Sequence, residues 1–352
     1  MSAEPPSVSP VPSVAKSSAP APVAPAAEPE RKKPEGNVVS VIAAIAANIL
    51  VGIVKFIAAG ISGSAAMVSE GVHSIVDSGN GFLVLLGLHR SKKPPTIEHP
   101  FGFGKELYFW TLVVSVSVFM LGGGVSVREG IGAIQSAAAG TAEFGDPVLS
   151  YVVLIAAMVI EGTSLLVAVR NFNKARGDKR PFEYIKDCKD PSLYTVLLED
   201  SAAELGLVFA LVGMVLGRAL DNHYIDGISA VLIGLLLMSV SIVMLKESKG
   251  LLLGEGMTRE ELVEARGIVE SDPAVEKAGR VLTMYFGPHS MLMTVDATFR
   301  PGCSGDEILR AVDRIERLLI ERFPETTRIF IEAENLSSVE RQREIQRSMP
   351  EE

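Results

Sequence analysis

Six long stretches of apolar residues, each with few or no charges, divide the chain as far as Leu245. They run from about Gly36 to Gly60, Ser64 to Leu88, Leu107 to Val127, Pro147 to Val169, Leu193 to Leu216 and Gly227 to Leu245. Each is close to the roughly 20 residues that a helix needs to cross a bilayer. Since lipid offers no hydrogen-bond partner for an open backbone, the spans must be helical. The pattern predicts six membrane-spanning helices.

After the sixth stretch the chain becomes charged, and its apolar residues recur at shorter intervals. The predicted order is helix, strand, strand, helix, strand, from capping boxes at Thr258–Glu261 and Ser304–Glu307 and strand-like runs at Arg280–Phe286, Met291–Phe299 and Arg328–Ile331. This order is typical of a small α+β sandwich. The fold class is therefore a membrane all-α bundle of six transmembrane helices followed by a small cytoplasmic α+β domain.

These patterns divide the chain into four parts. Residues 1–36 are rich in Pro, Ala and Ser, and we expect a disordered arm because such a segment cannot bury enough apolar surface to fold. Residues 37–253 form the predicted transmembrane domain, and residues 254–336 form the α+β domain. Residues 337–352 are a highly charged tail without a core pattern.

Composition supports the membrane assignment. Apolar residues make up 48% of the chain and charged residues 21%, and the mean hydropathy is +0.31. The net charge of −9 argues against nucleic acid as a partner, because phosphate binding needs a basic face. Cys188 and Cys303 lie too far apart in sequence to define a disulfide framework or a thiolate metal motif.

The basic residues predict an orientation. The loop after the second stretch contains Arg90, Lys92, Lys93 and Lys105, whereas the turn between the first two stretches contains no basic residue. The loop between the fourth and fifth stretches is also basic. By the positive-inside rule, both termini lie in the cytoplasm. The usage of Ala, Gly and Pro favours a bacterial plasma membrane.

Ionisable residues inside the predicted spans carry the functional information, because a charge in hydrocarbon is costly and is usually retained for function. They are Lys55, Glu70, His73, Asp77, Glu161, Glu199, Asp200 and Glu204. With a single lysine to balance so many acids, we expect a cation or protons to complete the bundle. One structural alternative is that one or two of Glu70, Glu161 and Glu204 are protonated and hydrogen-bonded between helices. Lys55 is then a counter-ion, or its ammonium extends to an interface.

Helical spacing identifies the candidate ligands. His73 and Asp77 are separated by four residues and share one helical face, and Asp200 and Glu204 repeat that spacing. An imidazole nitrogen with carboxylate oxygens suits Zn²⁺, with Mn²⁺, Fe²⁺ and Co²⁺ next in preference. Because such ligands must be deprotonated, metal binding competes with protons, and the site can exchange one for the other.

Several motifs resemble the cation diffusion facilitator family over about residues 37–336. They are the Gly-Ser turn at Gly63-Ser64, the His-x-x-x-Asp pair of the second span, the loop His99-Pro-Phe-Gly-Phe-Gly-Lys105, and Tyr285-Phe-Gly-Pro288. The resemblance implies six helices followed by an α-β-β-α-β domain that forms a homodimer. It also implies alternating access between two sides of the membrane.

The family's site residues carry over only in part. His73 and Asp77 match the second-helix half of the site. On the fifth helix, aligning Asp200 with the last ligand places Val196 at the first, and adjacent Glu199 resembles a divergent branch that includes zinc exporters of organelles. The resemblance thus implies metal ligation by His73, Asp77, Asp200 and Glu199. The secondary candidates are Glu70, Glu204, His99 and Glu161.

Outside the membrane the family pattern is incomplete. His99 matches an auxiliary loop ligand, but Phe103 replaces a second. Glu332 and Glu334 fall where some members have His and Asp, and Arg280 occupies another His position. The resemblance therefore implies a dimerising domain that binds metal weakly, without the usual two-metal site.

The sequence predicts a non-enzymatic transporter that exports zinc by proton-coupled antiport and has no prosthetic group. Its partners are a divalent cation, protons, the bilayer and a second copy of the chain. A manganese, iron or cobalt exporter with the same mechanism remains open, as does a non-transporting metal sensor. A carrier of small organic cations would need an aromatic pocket, and few aromatic residues lie near the acids.

Overall fold

The computed structural model describes residues 38–334. The predicted disordered arm at 1–36 and the charged tail at 337–352 lie outside them. The helices of the N-terminal part are α1 (Val38–Ser62), α2 (Ala65–Ser91), α3 (Glu106–Ala138), α4 (Val148–Arg176), the short α5 (Pro181–Asp187), α6 (Pro191–Ala219) and α7 (Tyr224–Leu253). A π-helical segment, Val118–Gly124, interrupts α3 where three glycines follow one another.

Six of these helices form the predicted bundle. By length and composition α2, α3, α4, α6 and α7 can each cross a membrane, and α1 contributes the shorter apolar segment Asn48–Ser62. Each helix from α2 to α7, apart from α5, is longer than its apolar stretch, because polar residues at the ends continue the backbone hydrogen bonding. The chain is thus a multi-pass membrane protein.

The helices pack around a core of small and medium-sized apolar side chains. α4 lies against α1 and α6, α2 contacts α1 and α3, and α7 packs against both α3 and α6. Met67, Leu154, Leu207 and Leu237 are almost fully buried at the centre. Large apolar residues cover the outside, such as the half-exposed Val159, as expected of a surface that meets lipid.

The C-terminal part folds in the predicted order. It consists of α8 (Arg259–Glu270), β1 (Val275–Gly287), β2 (Ser290–Phe299), α9 (Gly305–Arg322) and β3 (Thr326–Glu334). The sheet order is β1-β2-β3, with Val281 opposite Val295 in the antiparallel pair and Val295 opposite Ile331 in the parallel pair. Both predicted capping boxes are confirmed at the starts of α8 and α9.

One predicted boundary was wrong. β1 begins at Val275 rather than at Arg280, because the pairing between β1 and β2 shifts register between Val275 and Lys277 and again between Ala278 and Val281. Such irregularities break the alternation of apolar and polar residues that identifies a strand in sequence. The first residues of β1 therefore lack the expected pattern.

The loop between α2 and α3 contacts the α+β domain and connects it to the bundle. Phe101 stacks on Phe286 of the β1–β2 hairpin, with ring centroids 4.7 Å apart and planes 4° apart. Lys105 Nζ donates to the Leu252 carbonyl at 3.3 Å. The backbones meet at Gly104 and Gly287, with 3.2 Å between the position of a Cβ on Gly287 and the Gly104 Cα. We call this side of the bundle the domain end and the opposite side the far end.

A second polar anchor lies inside the α+β domain. The Asp272 carboxylate accepts from Arg314 Nε at 2.8 Å and Nη2 at 2.9 Å, and from the Ala274 backbone N–H at 3.0 Å. The Arg314 guanidinium holds the pKa of Asp272 below its usual value. This pair ties α9 to the turn before β1.

We predict that Gly104→Ala loosens the contact between loop and hairpin. A Cβ at Gly104 would overlap the Phe286 carbonyl, and relief of such overpacking costs about 1–3 kcal/mol. Hydrogen exchange of the 282–292 peptides in the full chain should rise. Gly267→Ala on α8, where a Cβ meets nothing within 4 Å, is the control and should leave the hairpin unchanged. Equal exchange in the two variants would contradict the prediction.

We also predict that Asp272→Asn destabilises the α+β domain by about 1 kcal/mol at pH 7, since it removes the charge that Arg314 binds. The pKa of Asp272 in the folded protein lies below its value in the unfolded chain, which is about 4. The stabilisation is therefore fully present above about pH 4 and is lost as the pH falls from there through the folded pKa. Denaturant unfolding at pH 7 and pH 3 measures it. The exposed neighbour Asp313, changed to Asn, is the control.

Candidate metal-binding site

Four helices enclose a polar cavity of about 70 Å³ inside the bundle. Its lining residues come from α1, α2, α4 and α6 and are Asn48, His73, Ser74, Asp77, Ile160, Glu161, Ser164, Glu199, Asp200 and Ala203. This volume can hold a metal ion with a small number of water molecules. All four primary ligand candidates named from the sequence line this one cavity.

Local helix geometry brings the ligand candidates together. On α2, the four-residue spacing places His73 and Asp77 one turn apart on the cavity side. On α6 the consecutive residues Glu199 and Asp200 both reach the cavity, and Glu199 is the more deeply buried. Val196 is 46% exposed and lies outside the cavity lining. The position that resembles the family's first ligand on this helix is thus turned away from the cavity, whereas Glu199 lines it.

A neutral side chain from a neighbouring helix donates a hydrogen bond to each of three carboxylates, those of Asp77, Glu199 and Asp200. Asn48 Nδ2 donates to Asp77 Oδ2 at 2.6 Å, and Ser164 Oγ donates to Asp200 Oδ2 at 2.8 Å. Asn80 Nδ2 donates to Glu199 Oε1 at 2.9 Å. His73 Nδ1 is buried without a hydrogen-bond partner in the described structure. A buried imidazole nitrogen without a partner, next to oriented carboxylates, is the donor set that a transition metal prefers.

The ligand candidates are close but not yet in a ligating arrangement. Within residues 38–334, no three His, Cys, Asp or Glu side chains converge as they would on a bound metal ion. The donors from Asn48, Asn80 and Ser164 occupy one oxygen of each carboxylate. A cation that enters the cavity would therefore replace neutral hydrogen bonds, with modest rotations of the side chains.

A second charged cluster adjoins the cavity. Lys55 is fully buried, and its ammonium contacts Glu70 Oε2 at 3.1 Å and Glu161 Oε1 at 2.9 Å. A Cβ on Gly206 would lie 2.5 Å from Glu70 Oε1, so the absence of a side chain there makes room for this carboxylate. Glu204 lies near Gly162 of α4. Glu70 and Glu204 are thus outside the cavity lining, whereas Glu161 belongs to both groups.

The remaining sequence candidates lie outside the bundle. His99 is exposed in the loop at the domain end and stacks on Phe103, with ring centroids 4.5 Å apart. Arg280 pairs with Asp296 at 3.1 Å, and Glu332 is exposed. The structure therefore brings none of these three to the cavity.

Sequence reasoning missed the neutral residues of the site. Asn48, Asn80 and Ser164 orient the three carboxylates, yet only ionisable residues were used to define the site. A usable signal was present, because Asn48 and Asn80 are amides inside otherwise apolar spans. In hydrocarbon an amide needs a partner as much as a carboxylate does.

Comparison with known proteins agrees with this architecture. The family model of the cation efflux transmembrane domain matches residues 41–253. The mouse (Mus musculus) protein named proton-coupled zinc antiporter SLC30A9, mitochondrial, is 34% identical over 245 residues, which are 69% of this chain and 42% of the mouse protein. Metal tolerance protein C4 of Arabidopsis thaliana is 29% identical over 262 residues, 74% of this chain and 56% of that protein.

A bacterial relative matches over nearly its full length. The manganese efflux system protein MneP of Bacillus subtilis is 24% identical over 298 residues, 80% of this chain and 94% of MneP. By contrast, the chain spans about two fifths of the length of the mouse relative. The domain match across residues 41–253, the six-helix bundle and the α-β-β-α-β domain show that this chain belongs to the cation diffusion facilitator, or cation efflux, family of membrane transporters.

Proposed function

We propose that the chain exports a divalent transition metal, with zinc as its main cargo, in exchange for protons. The observation that carries this proposal is the cavity, in which one imidazole and four carboxylates from three helices meet inside a membrane bundle. A charge set of this kind is costly in hydrocarbon unless it binds a cation. A zinc antiporter and a manganese efflux protein among the relatives support it. On this reading the protein is a carrier and not an enzyme.

His73, Asp77, Glu199 and Asp200 are the proposed ligands. An imidazole nitrogen combined with carboxylate oxygens suits tetrahedral Zn²⁺. The two residues from α2 and the two from α6 face each other across the cavity, so a bound ion would join these helices. Movement of one helix pair against the other would then expose the ion first to one side and then to the other.

The donor chemistry also explains the exchange for protons. Zinc requires a neutral imidazole and ionised carboxylates, so protons and metal compete for the same atoms. When the metal leaves, protons can neutralise Asp77, Glu199 and Asp200 and allow the empty bundle to return. The cycle therefore carries protons in one direction and metal in the other.

The basic loops at the domain end support a cytoplasmic position for the α+β domain and for both termini. The composition favours a bacterial plasma membrane. We further propose that two copies associate, as the family resemblance implies. Reporter fusions at each terminus and mass measurement in detergent test these assignments, and a periplasmic C-terminal reporter would overturn the orientation.

Manganese is the second candidate cargo, because the cavity offers one nitrogen and otherwise only oxygen atoms. Asn48, Ser74 and Ser164 add neutral oxygens to those of the carboxylates. An oxygen-rich site shifts preference toward Mn²⁺. Flux of Zn²⁺ and Mn²⁺ through the same proteoliposomes, each with the other as competitor, discriminates the two.

We predict that Asp77→Asn or Asp200→Asn lowers the zinc flux driven by an imposed pH gradient at least about tenfold. Each change removes a charged ligand while keeping the size of the side chain. The assay is zinc uptake into proteoliposomes together with proton release. Glu129→Gln is the matched control, because Glu129 is an acid of α3 that pairs with Arg128 outside the cavity. Undiminished flux in both aspartate variants would refute the proposed site.

A second prediction separates the two glutamates of α6. Glu199→Gln should weaken zinc binding about tenfold or more, whereas Glu204→Gln should change it less than about threefold, because only Glu199 lines the cavity. Calorimetric titration of the purified full chain measures both dissociation constants. If Glu204→Gln weakened zinc binding more than Glu199→Gln, the ligand on α6 would be Glu204 and the proposed assignment would be wrong.

A further inference from the structure

Lys55 is the one lysine or arginine found fully buried among residues 38–334, and its bonds connect three helices. The ammonium on α1 contacts Glu70 on α2 and Glu161 on α4. A buried lysine between two acids satisfies part of the charge of the bundle but not all of it. Glu70 Oε1 and Glu161 Oε2 are buried and lack a hydrogen-bond partner in the described structure.

Glu161 differs from Glu70 in one respect that matters for transport. Its carboxylate gives one oxygen to Lys55, and Glu161 also lines the cavity with His73 and Asp77. The second oxygen, Oε2, has no partner. Ser164, one turn further along α4, binds Asp200 in the same cavity. Glu161 is therefore placed between a resident cation and the position of a transported one.

We propose that Lys55 and the transported metal compete for the Glu161 carboxylate, so that Lys55 limits how tightly the metal is held. This rests on the proposed function, because it takes the cavity as the metal site. Lys55 is a positioning residue that acts through Glu161. When the Glu161 carboxylate binds the metal, the Lys55 ammonium remains paired with Glu70. When Glu161 pairs with Lys55 again, the metal loses a ligand.

Burial explains why this competition is strong. An ammonium that is fully enclosed cannot be stabilised by water, so it depends on its carboxylate partners. Two cations near each other in a medium of low dielectric repel strongly. Lys55 thus lowers the affinity of the cavity both by holding Glu161 and by its charge.

The position of the cluster fits release toward the far end. On α1, Lys55 lies between Asn48, which lines the cavity, and Ser62 at the far end of the helix. On α2, Glu70 likewise precedes His73 on the side of the α1–α2 turn. The cluster of Lys55, Glu70 and Glu161 thus lies on the side of the cavity that is nearer the far end.

The test compares zinc binding and flux in full-length variants. Lys55→Met keeps an unbranched side chain one atom shorter than that of lysine, removes the ammonium and frees Glu161, so the dissociation constant for zinc should fall about tenfold while turnover slows. Lys55→Met/Glu161→Gln should return the constant to the wild-type value or above it. Lys55→Met/Glu70→Gln has the same net charge but leaves Glu161 free, so it should keep the tight binding.

Calorimetry in detergent gives the constants, and proteoliposome flux gives turnover and KM. A purely structural role for Lys55 would lower yield or maximal flux and leave the dissociation constant unchanged, which would overturn the proposal. Equal constants in the two double variants would also overturn it, and that comparison stands even if Lys55→Met alone does not fold. Asp77→Asn separately tests the cavity: an unchanged dissociation constant for zinc in this variant would refute the proposed function, whereas failure of the Lys55 comparison alone would leave that function intact.

Discussion

The bundle depends on one constraint: a charge buried among its helices must have a partner within the protein. Lipid supplies no hydrogen bonds and little dielectric screening, so an isolated buried ion is far more costly than in water. For Glu70 and Glu161 the partner is the Lys55 ammonium, a permanent cation that contacts both carboxylates. For the carboxylates of Asp77 and Asp200 the partners are neutral amide and hydroxyl donors. The two solutions differ in strength, because neutral donors are replaced by a metal ion more easily than a buried ammonium is.

This difference accounts for the arrangement of the helices. α1, α2 and α4 are joined by the Lys55 cluster, and α6 meets α2 and α4 through the hydrogen bonds of Glu199 and Asp200 and through close packing at Gly206. At Gly206 the absence of a side chain lets α6 approach Glu70 without placing a further charge beside it. At the domain end, Phe101 and Lys105 connect the α2–α3 loop to the β1–β2 hairpin. The α2–α3 loop thus joins the bundle to the α+β domain through a packed aromatic contact.

Much of this could be predicted from the sequence, for physical reasons that also mark the limit. Apolar length predicted the six helices, and local hydrogen bonding predicted the caps at Thr258 and Ser304, since both signals act within one element. The four-residue spacing of His73 and Asp77 placed both on one face. The amide at Asn48 inside an apolar span was a signal that a partner is needed, but its pairing with Asp77, and that of Ser164 with Asp200, depend on how neighbouring helices rotate and slide. The start of β1 at Val275 could not be predicted for a related reason, since its irregular register is set by pairing with β2.

On the proposed assignment, the ligand on α6 is Glu199 and not the residue at Val196, the position that the family resemblance implies. Moving from Val196 to Glu199 shifts the ligand by three residues, nearly one helical turn, and turns it from a half-exposed face into the buried interior. Glutamate also has one more methylene than aspartate, so its carboxylate reaches further and needs an anchor at a different place from those of Asp77 and Asp200. Asn80 on α2 supplies that anchor at 2.9 Å. This hydrogen bond between Asn80 and Glu199 links α2 to α6. The position of the ligand, its length and its anchor thus form one unit, and changing any one of them alone would leave a buried carboxylate without a partner.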